Sequence, residues 1–511
     1  MSESLFEVFR RGFPADPASR VFVRRPDGGE VTCADLLDRS GRLANVLAGL
    51  GVKPGDRVAV QVEKSAEALL LYLASLRAGA VYLPLNTAYT AGELRYFLGD
   101  AEPALFVCRP EAREAMAALA AEVGVPHVET LGERRDGGLM DRARDAASDG
   151  VDVPRAADDL AAILYTSGTT GRSKGAMLSH GNLASNARTL AEAWRFSAED
   201  RLLHALPIFH THGLFVATNI ALVSGATLIL LPRFDADEVV RLLPDATAMM
   251  GVPTFYTRLL SRPDFTRDLV AHMRLFVSGS APLSAETHRE FEARTGHAIL
   301  ERYGMTETNM NTSNPYAGGP RVPGSVGPPL PGVEVRIADP DDGRPLPQGE
   351  VGMIEVRGPN VFKGYWRMPE KTRAEFRDDG FFISGDLGRI DERGYVAIVG
   401  RGKDLIISGG FNVYPAEVEG AVESLPGVAE CAVVGVPHPD FGEGVVAVVA
   451  AKPGAALDER GMIAALSGEL AKYKLPKRVF VAEALPRNTM GKVQKNELRE
   501  RYKGTFAPGA S

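Results

Sequence analysis

Apolar residues in the first half of the chain form short blocks that alternate between helical and strand-like spacing. The segment 68–80 has apolar positions spaced for one face of a helix, and 81–85 follows as a short buried strand. Three later apolar runs, at 160–166, 226–231 and 273–279, also predict strands, each followed by a Gly-rich turn or a helical stretch. This alternation predicts βαβ units and mostly parallel sheets.

Beyond residue 320 the pattern changes to short alternating strands separated by Gly and Pro. Alternating runs at 333–337 and 352–358 predict a small β-rich subdomain. The segment 400–419 then opens a last unit. Its apolar runs at 429–436 and 445–451, together with helical stretches, predict a compact α+β domain.

Together these elements predict an α/β fold with a large N-terminal domain of parallel-rich αβ layers, a small β-rich subdomain and a small α+β C-terminal domain. The stretch 132–159 is rich in charge, Gly and Ala, so we expect a surface excursion or linker there. The expected limits are 1–400 for the N-terminal domain (αβ subdomains 1–160 and 161–330, β-rich subdomain 331–400) and 401–511 for the C-terminal domain.

Composition narrows the class of protein. Of the 511 residues, 45% are hydrophobic and 24% are charged, which is typical of globular proteins and excludes a disordered or fibrous chain. Acidic residues outnumber basic ones, 65 to 58, for a net charge of -7. A general nucleic-acid or anionic-membrane surface is therefore disfavoured, and any polyanionic ligand must be held by local basic groups.

Cysteine usage and the lack of long apolar runs indicate the compartment. Cys33, Cys108 and Cys431 lie far apart and form no metal-ligand spacing, which favours a reducing environment. No apolar run approaches the ~20 residues that a membrane-spanning helix needs. The segment 1–13 contains acidic residues and does not resemble a signal peptide. We expect a cytoplasmic protein.

The strongest local motif, YTSGTTGRSKGA at 165–176, directly follows a predicted apolar strand. Glycines let backbone N–H groups wrap a phosphate, and hydroxyls and a lysine add donors and charge. It is not a Walker A loop, because Ser173 follows Gly168 at the spacing where that loop needs Gly-Lys-Ser/Thr. The motif indicates phosphate binding, although a solvated Gly/Ser/Thr loop has the same composition. The candidate residues are Thr166, Ser167, Gly168, Thr169, Thr170, Gly171 and Lys174.

A second motif, ERYGMTETNMNTSNP at 301–315, combines an aromatic residue, a hydroxyl and a carboxylate. Tyr303 can stack on a purine, Thr306 can donate to a phosphate oxygen, and Glu307 can hold Mg²⁺. Tyr-Gly and Thr-Glu pairs also occur in ordinary loops, so this motif is weak when taken alone.

Two further segments carry candidate groups that are weak in isolation. Asp386 follows a strand-like run and, with Arg401, could bind ribose hydroxyls, although an Asp that caps a turn is an equally simple explanation. Lys492 follows a flexible Met-Gly step within 485–495. Nothing in its spacing distinguishes it from a lysine that serves only solubility.

In this order, the four segments resemble those of the acyl-adenylate-forming (AMP-binding) superfamily, which includes acyl-CoA synthetases, adenylation domains of peptide synthetases and luciferases. The resemblance implies that the loop 166–175 binds the ATP phosphates and that Tyr303 stacks on adenine. It also implies that Thr306 contacts the α-phosphate and Glu307 binds Mg²⁺. The other ATP-binding residues that it implies are Ser280, Ala281, Pro282, Glu301, Gly304, Met305 and, at the ribose, Asp386 and Arg401.

The resemblance also implies a two-step reaction. A carboxylate attacks the α-phosphate of ATP to give an acyl-adenylate and pyrophosphate, with Lys492 stabilising the transition state. The mobile C-terminal domain then rotates about a hinge at Lys403, withdraws Lys492 and lets the CoA thiol attack the activated carbonyl. Gly409 and Gly410 would give pantetheine access to the backbone, although a tight turn would also need them.

The co-substrates implied by the resemblance are ATP and CoA, and the metal is Mg²⁺. We expect small-molecule partners only, with no nucleic acid, membrane or obligate protein partner.

The identity of the acid depends on Arg302, which stands where this superfamily commonly has Gly before the stacking aromatic residue. A fixed guanidinium suits an acid with a second carboxylate. A salt bridge to Glu301 or another acid is the alternative, and Arg274 and Arg289 are rival candidates for the carboxylate clamp. The acyl pocket that the resemblance implies contains Arg302, His210, Thr211, Ser278 and Met310.

His210 and His212 form a pair that could be interpreted as metal ligands. If the run 207–217 were a strand, both side chains would point the same way. The sequence offers no further ligand set beside them, so we interpret the pair as pocket lining.

Three segments most closely resemble the malonyl-CoA synthetases: 301–315, 209–217 and 408–419. The resemblance implies that malonate, ATP and CoA are converted into malonyl-CoA, AMP and pyrophosphate, with methylmalonate as a possible second acid. A synthetase for a short-chain monocarboxylate or another dicarboxylate is the main alternative. An adenylating domain that loads a carrier protein is a third hypothesis, and a non-enzymatic role is a fourth.

Overall fold

Two sheets of mostly parallel strands form the larger part of the fold in the computed structural model, which describes residues 4–150, 152–166, 173–409, 411–488 and 491–507. The central six strands of the larger sheet are parallel, and each edge strand is antiparallel to its neighbour. In spatial order, its strands are Asn309–Ser313, Leu300–Met305, Leu275–Ser278, Ala248–Gly251, Arg201–His204, Thr227–Leu230, Val21–Arg24 and Glu30–Thr32.

The second sheet has five parallel strands and one antiparallel edge strand. Several of its strands are buried along their whole length, as expected for parallel strands covered by helices on both faces. In spatial order, its strands are His127–Thr130, Leu105–Cys108, Arg57–Gln61, Val81–Pro84, Leu160–Thr166 and Lys174–Ser179.

Helices connect and cover these strands. The helix Ala66–Arg77 is buried at every position, and it begins at Ser65, whose hydroxyl accepts a hydrogen bond from the backbone N–H of Ala68. The α-helices up to residue 300 are Leu5–Arg10, Cys33–Gly49, Ala66–Arg77, Ala91–Ala101, Arg113–Glu122, Gly138–Arg144, His180–Ala193, Asn219–Ser224, Ala236–Leu242, Pro253–Leu260, Arg267–Val270 and Ala285–Thr295. Short 3₁₀ turns occur at Pro17–Ser19, Pro110–Ala112 and Leu243–Asp245, and a π-helix at His212–Thr218.

Two smaller sheets form the rest of the chain. The first is antiparallel, with strands Glu334–Ala338, Gly352–Arg357, Phe382–Ile390 and Val396–Arg401. The second contains Phe411–Val413, Ile406–Ser408, Gly442–Ala451, Val428–His438 and the parallel strand Arg478–Ala482. A 3₁₀ turn, Gly402–Asp404, connects the two sheets, and the helices of this region are Pro369–Ala374, Pro415–Glu423, Glu459–Leu466 and Lys495–Tyr502.

The predicted fold class is confirmed: parallel-rich αβ layers, a β-rich region and a small α+β unit follow one another along the chain. The strands predicted at 160–166, 226–231 and 273–279 are present as Leu160–Thr166, Thr227–Leu230 and Leu275–Ser278. Their apolar runs were recognisable because parallel strands are buried on both faces.

The two large sheets do not follow the division expected at residue 160. Val21–Arg24 pairs with Thr227–Leu230 in the larger sheet, and Leu160–Thr166 pairs with Val81–Pro84 in the smaller one. The stretch 132–159 also differs from the expected surface excursion, because it includes the helix Gly138–Arg144. Leu139 and Ala143 of that helix are buried in the core.

Every helix in the described parts of the chain falls short of the length and apolarity needed to cross a membrane. Cys33, Cys108 and Cys431 are all free thiols and all buried.

Candidate active site

Several predicted site residues lie at the carboxyl edge of the larger sheet, where open α/β sheets bind ligands. Ser278 ends one strand there, Arg302 to Met305 end the next, and Gly279 and Ser280 form the connection between the strand end and the pocket. Ser280 has a φ of 72°, a conformation that is uncommon for a residue with a side chain. Such strain is typical of functional sites.

Arg302 is the most unusual residue of this edge. Its side chain is buried at 4% exposure, and neither Nε nor Nη2 has a hydrogen-bond partner. The Arg302 side chain packs directly against Gly279. A Cβ at position 279 would lie 2.4 Å from the Arg302 Cζ and would clash with it. Burial lowers the pKa of the Arg302 guanidinium to about 9, so the group remains protonated at neutral pH.

The alternatives to Arg302 have other surroundings. Arg274 forms a two-pronged ion pair with Asp200 (2.6 and 2.7 Å), and Arg289 is exposed on the helix Ala285–Thr295. Glu301 does not pair with Arg302. Its carboxylate lies 3.2 Å from His288 Nδ1, because consecutive residues of a strand point to opposite faces.

Other unsatisfied polar atoms accompany Arg302. Ser278 Oγ, at the end of a strand, and Thr211 Oγ1 and His212 Nε2, where the π-helix His212–Thr218 begins, are buried without a hydrogen-bond partner. Buried polar groups are almost always paired in proteins, so these four residues indicate a site for a polar ligand. This group of Arg302, Thr211, Ser278 and His212 is called the anion pocket below.

The histidine segment is not a strand. It forms a turn followed by the π-helix His212–Thr218, so the argument that His210 and His212 share one side of a strand was wrong. The π-helix turns His212 towards the anion pocket, where its Nδ1 lies 3.1 Å from Ser280 Oγ. Burial, followed by the charges of Lys492 and Arg302, lowers the pKa of His210 to about 3. Burial also lowers the pKa of His212, so both histidines are neutral and Arg302 supplies the positive charge of this pocket.

Tyr303, Asp386 and Arg401 form a second group beside the pocket. The Tyr303 hydroxyl donates to Asp386 Oδ2 at 2.6 Å, and Arg401 Nε lies 3.1 Å from Asp386 Oδ1. Asp386 and Arg401 are directly paired on neighbouring antiparallel strands, and this pairing brings their side chains together. Gly304 follows Tyr303 and lets the neighbouring strand approach closely, because a Cβ there would lie 1.9 Å from the backbone oxygen of Asn309.

A third group surrounds the carboxylate of Glu307. Glu307 is buried, and its Oε1 lies 3.1 Å from the hydroxyl of Tyr365. The same hydroxyl lies 2.6 Å from Glu375 Oε2, and Glu375 Oε1 lies 3.1 Å from the Lys174 ammonium. Burial raises the pKa of Glu307 above its ordinary value. A cation beside Glu307 would offset that burial.

Lys492 extends from the C-terminal unit into the same site. Its backbone N–H donates to Asn488 Oδ1 (2.9 Å), and its carbonyl accepts from the Asn488 N–H (2.9 Å). Burial, followed by the charge of Arg401, lowers the pKa of Lys492, while Asp386 and Glu307 oppose that effect. An ion pair between Lys452 and Glu286 (2.7 Å) further joins the C-terminal unit to the larger one.

The remaining predicted residues divide into three sets. Thr306, Met305 and Ala281 are partly exposed at the site edge, and Pro282 is exposed. Met310 is buried, with its Cε 2.6 Å from the position that a Cβ on Gly304 would take. The predicted residues outside the described ones are Ser167, Gly168, Thr169, Thr170, Gly171 and Gly410.

Two residues of the site, Tyr365 and Glu375, are not predicted from the sequence, because they lie in a segment without a recognisable motif. Their sequence distances from their partners explain this: Tyr365 is 58 residues from Glu307, and Glu375 is 201 residues from Lys174.

Comparison with known proteins identifies the family. A family model described as "AMP-binding enzyme" matches residues 9–366, and one described as "AMP-binding enzyme C-terminal domain" matches residues 417–492. The chain belongs to the AMP-binding enzyme family. This membership confirms the superfamily resemblance of the sequence motifs.

Three relatives within the AMP-binding enzyme family are informative. A feruloyl-CoA synthase from Amycolatopsis sp is 40% identical over 94% of this chain and 95% of its own length. A malonate–CoA ligase from Arabidopsis thaliana is 34% identical over 98% of this chain and 89% of its own length. The crystal structure of ATP-bound MatB from Rhodopseudomonas palustris is 61% identical, with a TM-score of 0.96 over 99% of this chain and all of that one.

Proposed function

We propose that this AMP-binding enzyme is an ATP-dependent acid–thiol ligase that makes malonyl-CoA from malonate and CoA, releasing AMP and pyrophosphate. One observation carries the choice of acid: two nitrogens of the buried Arg302 guanidinium, Nε and Nη2, have no hydrogen-bond partner. A carboxylate binds such a group through two parallel hydrogen bonds. The distal carboxylate of malonate, or of 2-methylmalonate as a second substrate, supplies it. The similarity to a malonate–CoA ligase supports the same acid.

The main competing acid is an aromatic monocarboxylate, because the relative named feruloyl-CoA synthase shares 40% identity with this chain. An acid with one carboxylate would present only a neutral group to the anion pocket. Arg302 would then remain a buried charge without a partner, which proteins avoid. The same argument disfavours a short-chain monocarboxylate, while a longer dicarboxylate would have to fit the same distance between its two carboxylates.

In the first half-reaction, we expect the anion pocket to orient malonate. Arg302 binds the distal carboxylate, and the hydroxyls of Thr211 and Ser278 donate to the acid. The other carboxylate attacks the α-phosphorus, forming a C–O–P linkage while the bond to pyrophosphate breaks. Lys492 and Thr306 stabilise the negative charge that develops on the α-phosphoryl oxygens.

The nucleotide would bind along the second group of residues. Tyr303 stacks on adenine, Asp386 and Arg401 hold the ribose hydroxyls, and the segment from Thr166 to Lys174 binds the phosphates. Lys174 begins a strand that pairs directly with the strand ending at Thr166. This register supports the proposal, because it places Lys174 directly opposite Thr166.

In the second half-reaction, the CoA thiol attacks the carbonyl carbon of malonyl-adenylate, and AMP leaves with the C–O bond electrons. We propose residues 1–400 and 401–511 as the two moving units, with the hinge at Lys403. Lys403 is exposed on the 3₁₀ turn Gly402–Asp404, which joins the two smaller sheets and is a short connection suited to rotation. Gly409, with a φ of 61°, and Gly410 would line the path of pantetheine.

Mg²⁺ fits this site through Glu307. In the described segments no three or more His, Cys, Asp or Glu side chains are grouped to hold a metal ion. Mg²⁺ in nucleotide sites commonly uses one or two carboxylates together with substrate phosphates, so a single buried carboxylate suffices. When bound, Mg²⁺ would neutralise phosphate charge. Glu307 would hold it, and the Tyr365 hydroxyl would orient that carboxylate.

The acyl-adenylate pathway can be tested with malonate labelled with ¹⁸O in its carboxyl groups. Adenylation joins a carboxylate oxygen to the α-phosphorus, and thiol attack then breaks the C–O bond, so the oxygen stays with AMP. We expect malonyl-CoA, unlabelled pyrophosphate and AMP with one ¹⁸O by mass spectrometry. Formation of ADP with labelled phosphate would instead indicate an acyl-phosphate route and overturn the proposal.

The lowered pKa of Lys492 predicts a pH dependence. Adenylation requires the charged ammonium, so kcat/KM for ATP should fall as pH rises through the pKa of the free enzyme's Lys492. That fall should begin below the ordinary lysine pKa of about 10.4. In Lys492→Arg the residual activity should persist to higher pH, because the ordinary pKa of a guanidinium lies well above that of an ammonium. An identical alkaline limb in both proteins would exclude Lys492 as the titrating group.

We further propose a cytoplasmic location and small-molecule partners only. Three buried free cysteines support a reducing compartment.

A further inference from the structure

A continuous chain of polar contacts runs from the phosphate-loop lysine to the buried carboxylate of Glu307. Lys174 Nζ lies 3.1 Å from Glu375 Oε1 and 4.1 Å from the centre of the Tyr365 ring. The Tyr365 hydroxyl lies 2.6 Å from Glu375 Oε2 and 3.1 Å from Glu307 Oε1. Four side chains from distant parts of the sequence therefore form one connected group.

The backbone around this group is fixed by several hydrogen bonds. The Tyr365 N–H donates to Thr372 Oγ1 (2.8 Å), and the backbone of Trp366 pairs with Gly175 beside Lys174 (2.8 Å). The Glu375 carbonyl accepts from the Ile383 N–H (2.9 Å). These hydrogen bonds fix the main chain from which the Glu375 side chain reaches Lys174 and Tyr365.

The hydroxyl of Tyr365 has a single proton for two carboxylates. The proton is shared between the nearer Glu375 (2.6 Å) and Glu307 (3.1 Å), so Glu375 sets the position from which the hydroxyl contacts Glu307. Lys174 has three N–H donors. It can keep one on Glu375 and direct the other two towards an anion.

We propose that Glu375 is a positioning residue that aligns Lys174 and, through Tyr365, Glu307 for the metal-bound triphosphate. This inference rests on the proposed function for the identity of the nucleotide. Without the Glu375 carboxylate, Lys174 would lose its anchor, and the Tyr365 hydroxyl would no longer be held in the position from which it orients Glu307. Both effects weaken the binding of MgATP without touching the anion pocket.

The test compares Glu375→Gln with Lys371→Met. Lys371 is half-exposed, and its ammonium also pairs with the Glu375 carboxylate (2.7 Å). Its removal therefore changes the local charge but keeps the contacts that link Lys174 to Glu307. Isothermal titration calorimetry without acid or CoA should show MgATP binding weakened about tenfold in Glu375→Gln, from the ordering cost of a freed lysine. In Lys371→Met the affinity should stay within twofold of wild type.

A second pair of readouts separates positioning from damage to the fold. In Glu375→Gln the KM for MgATP and the Mg²⁺ concentration for half-maximal rate should rise, while the KM for malonate stays unchanged. Tyr365→Phe keeps the contact between Lys174 and Glu375, and should raise only the Mg²⁺ requirement, at least about threefold. If Glu375→Gln does not fold, the Mg²⁺ requirement of Tyr365→Phe tests the proposal instead, and an unchanged requirement would overturn it.

Three further outcomes would overturn the inference: unchanged MgATP affinity in Glu375→Gln, an equal loss in Lys371→Met, or an equal rise in the malonate KM. Because MgATP binding is measured without acid, a wild-type protein that binds MgATP but does not use malonate would refute the proposed function alone. The role of Glu375 would still be decided by the binding data.

Discussion

Replacing Lys492 with alanine is expected to abolish formation of the acyl-adenylate and to spare thioester formation from supplied malonyl-adenylate. Lys492 interacts electrostatically with Arg401, Asp386 and Glu307, where a cation can stabilise the charge that develops on the α-phosphate. Removing one preorganised electrostatic group of this kind typically costs about 100- to 1,000-fold in rate. We expect at least that loss in a single-turnover pyrophosphate assay with malonate and MgATP.

The matched control for this prediction is Lys495→Ala. Lys495 lies three positions further on and forms an ion pair with Glu419 (2.6 Å), so its removal changes the charge of the same segment away from the site. Thioester formation from synthetic malonyl-adenylate and CoA should proceed at the wild-type rate in both variants. Equal loss of both half-reactions in Lys492→Ala would contradict the role of Lys492.

The second large effect is expected for Arg302→Met. Its kcat/KM for malonate should fall at least about a hundredfold while MgATP affinity is retained. Leaving one partner of a buried ion pair unpaired costs about 3–5 kcal/mol, which corresponds to roughly two to three and a half decades in rate. Here the unpaired partner is the distal carboxylate, and the ATP-binding residues lie in a separate group.

The control for Arg302 is Arg289→Ala, which removes a rival arginine that is exposed on its helix. Its malonate kinetics should match the wild type. Thermal unfolding without ligands adds an independent readout. Arg302→Met should melt higher than the wild type, because the substitution removes an unpaired buried charge. A loss in malonate kcat/KM under about threefold would exclude Arg302 as the clamp.

Much of the fold could be predicted because its signals are local. The buried strand Leu160–Thr166 is visible as an uninterrupted apolar run, and burial on both faces of a parallel sheet is the physical reason. The order of strands in the sheets could not be predicted. Val21–Arg24 pairs with Thr227–Leu230 through contacts about which neither segment carries local information.

The candidate site divides in the same way. Arg302, Tyr303 and Glu307 share one motif that is weak when taken alone, so their roles are predicted only through its resemblance to the family's motif. The π-helix His212–Thr218 depends on its surroundings, including the contact of His212 with Ser280 and that of His204 Nε2 with the Gly213 carbonyl (2.9 Å). Glu375 reaches Lys174 only through the folded chain, so no local pattern reveals it.

The central claim is that the Arg302 guanidinium selects an acid with a second carboxylate. The most direct test is pyrophosphate release with MgATP over malonate, methylmalonate, succinate, acetate, butyrate, benzoate and ferulate, each with and without CoA. We expect CoA-dependent turnover confined to malonate and its 2-methyl derivative. Best turnover with butyrate, benzoate or ferulate would contradict it, and would leave an adenylating enzyme whose buried arginine has another purpose.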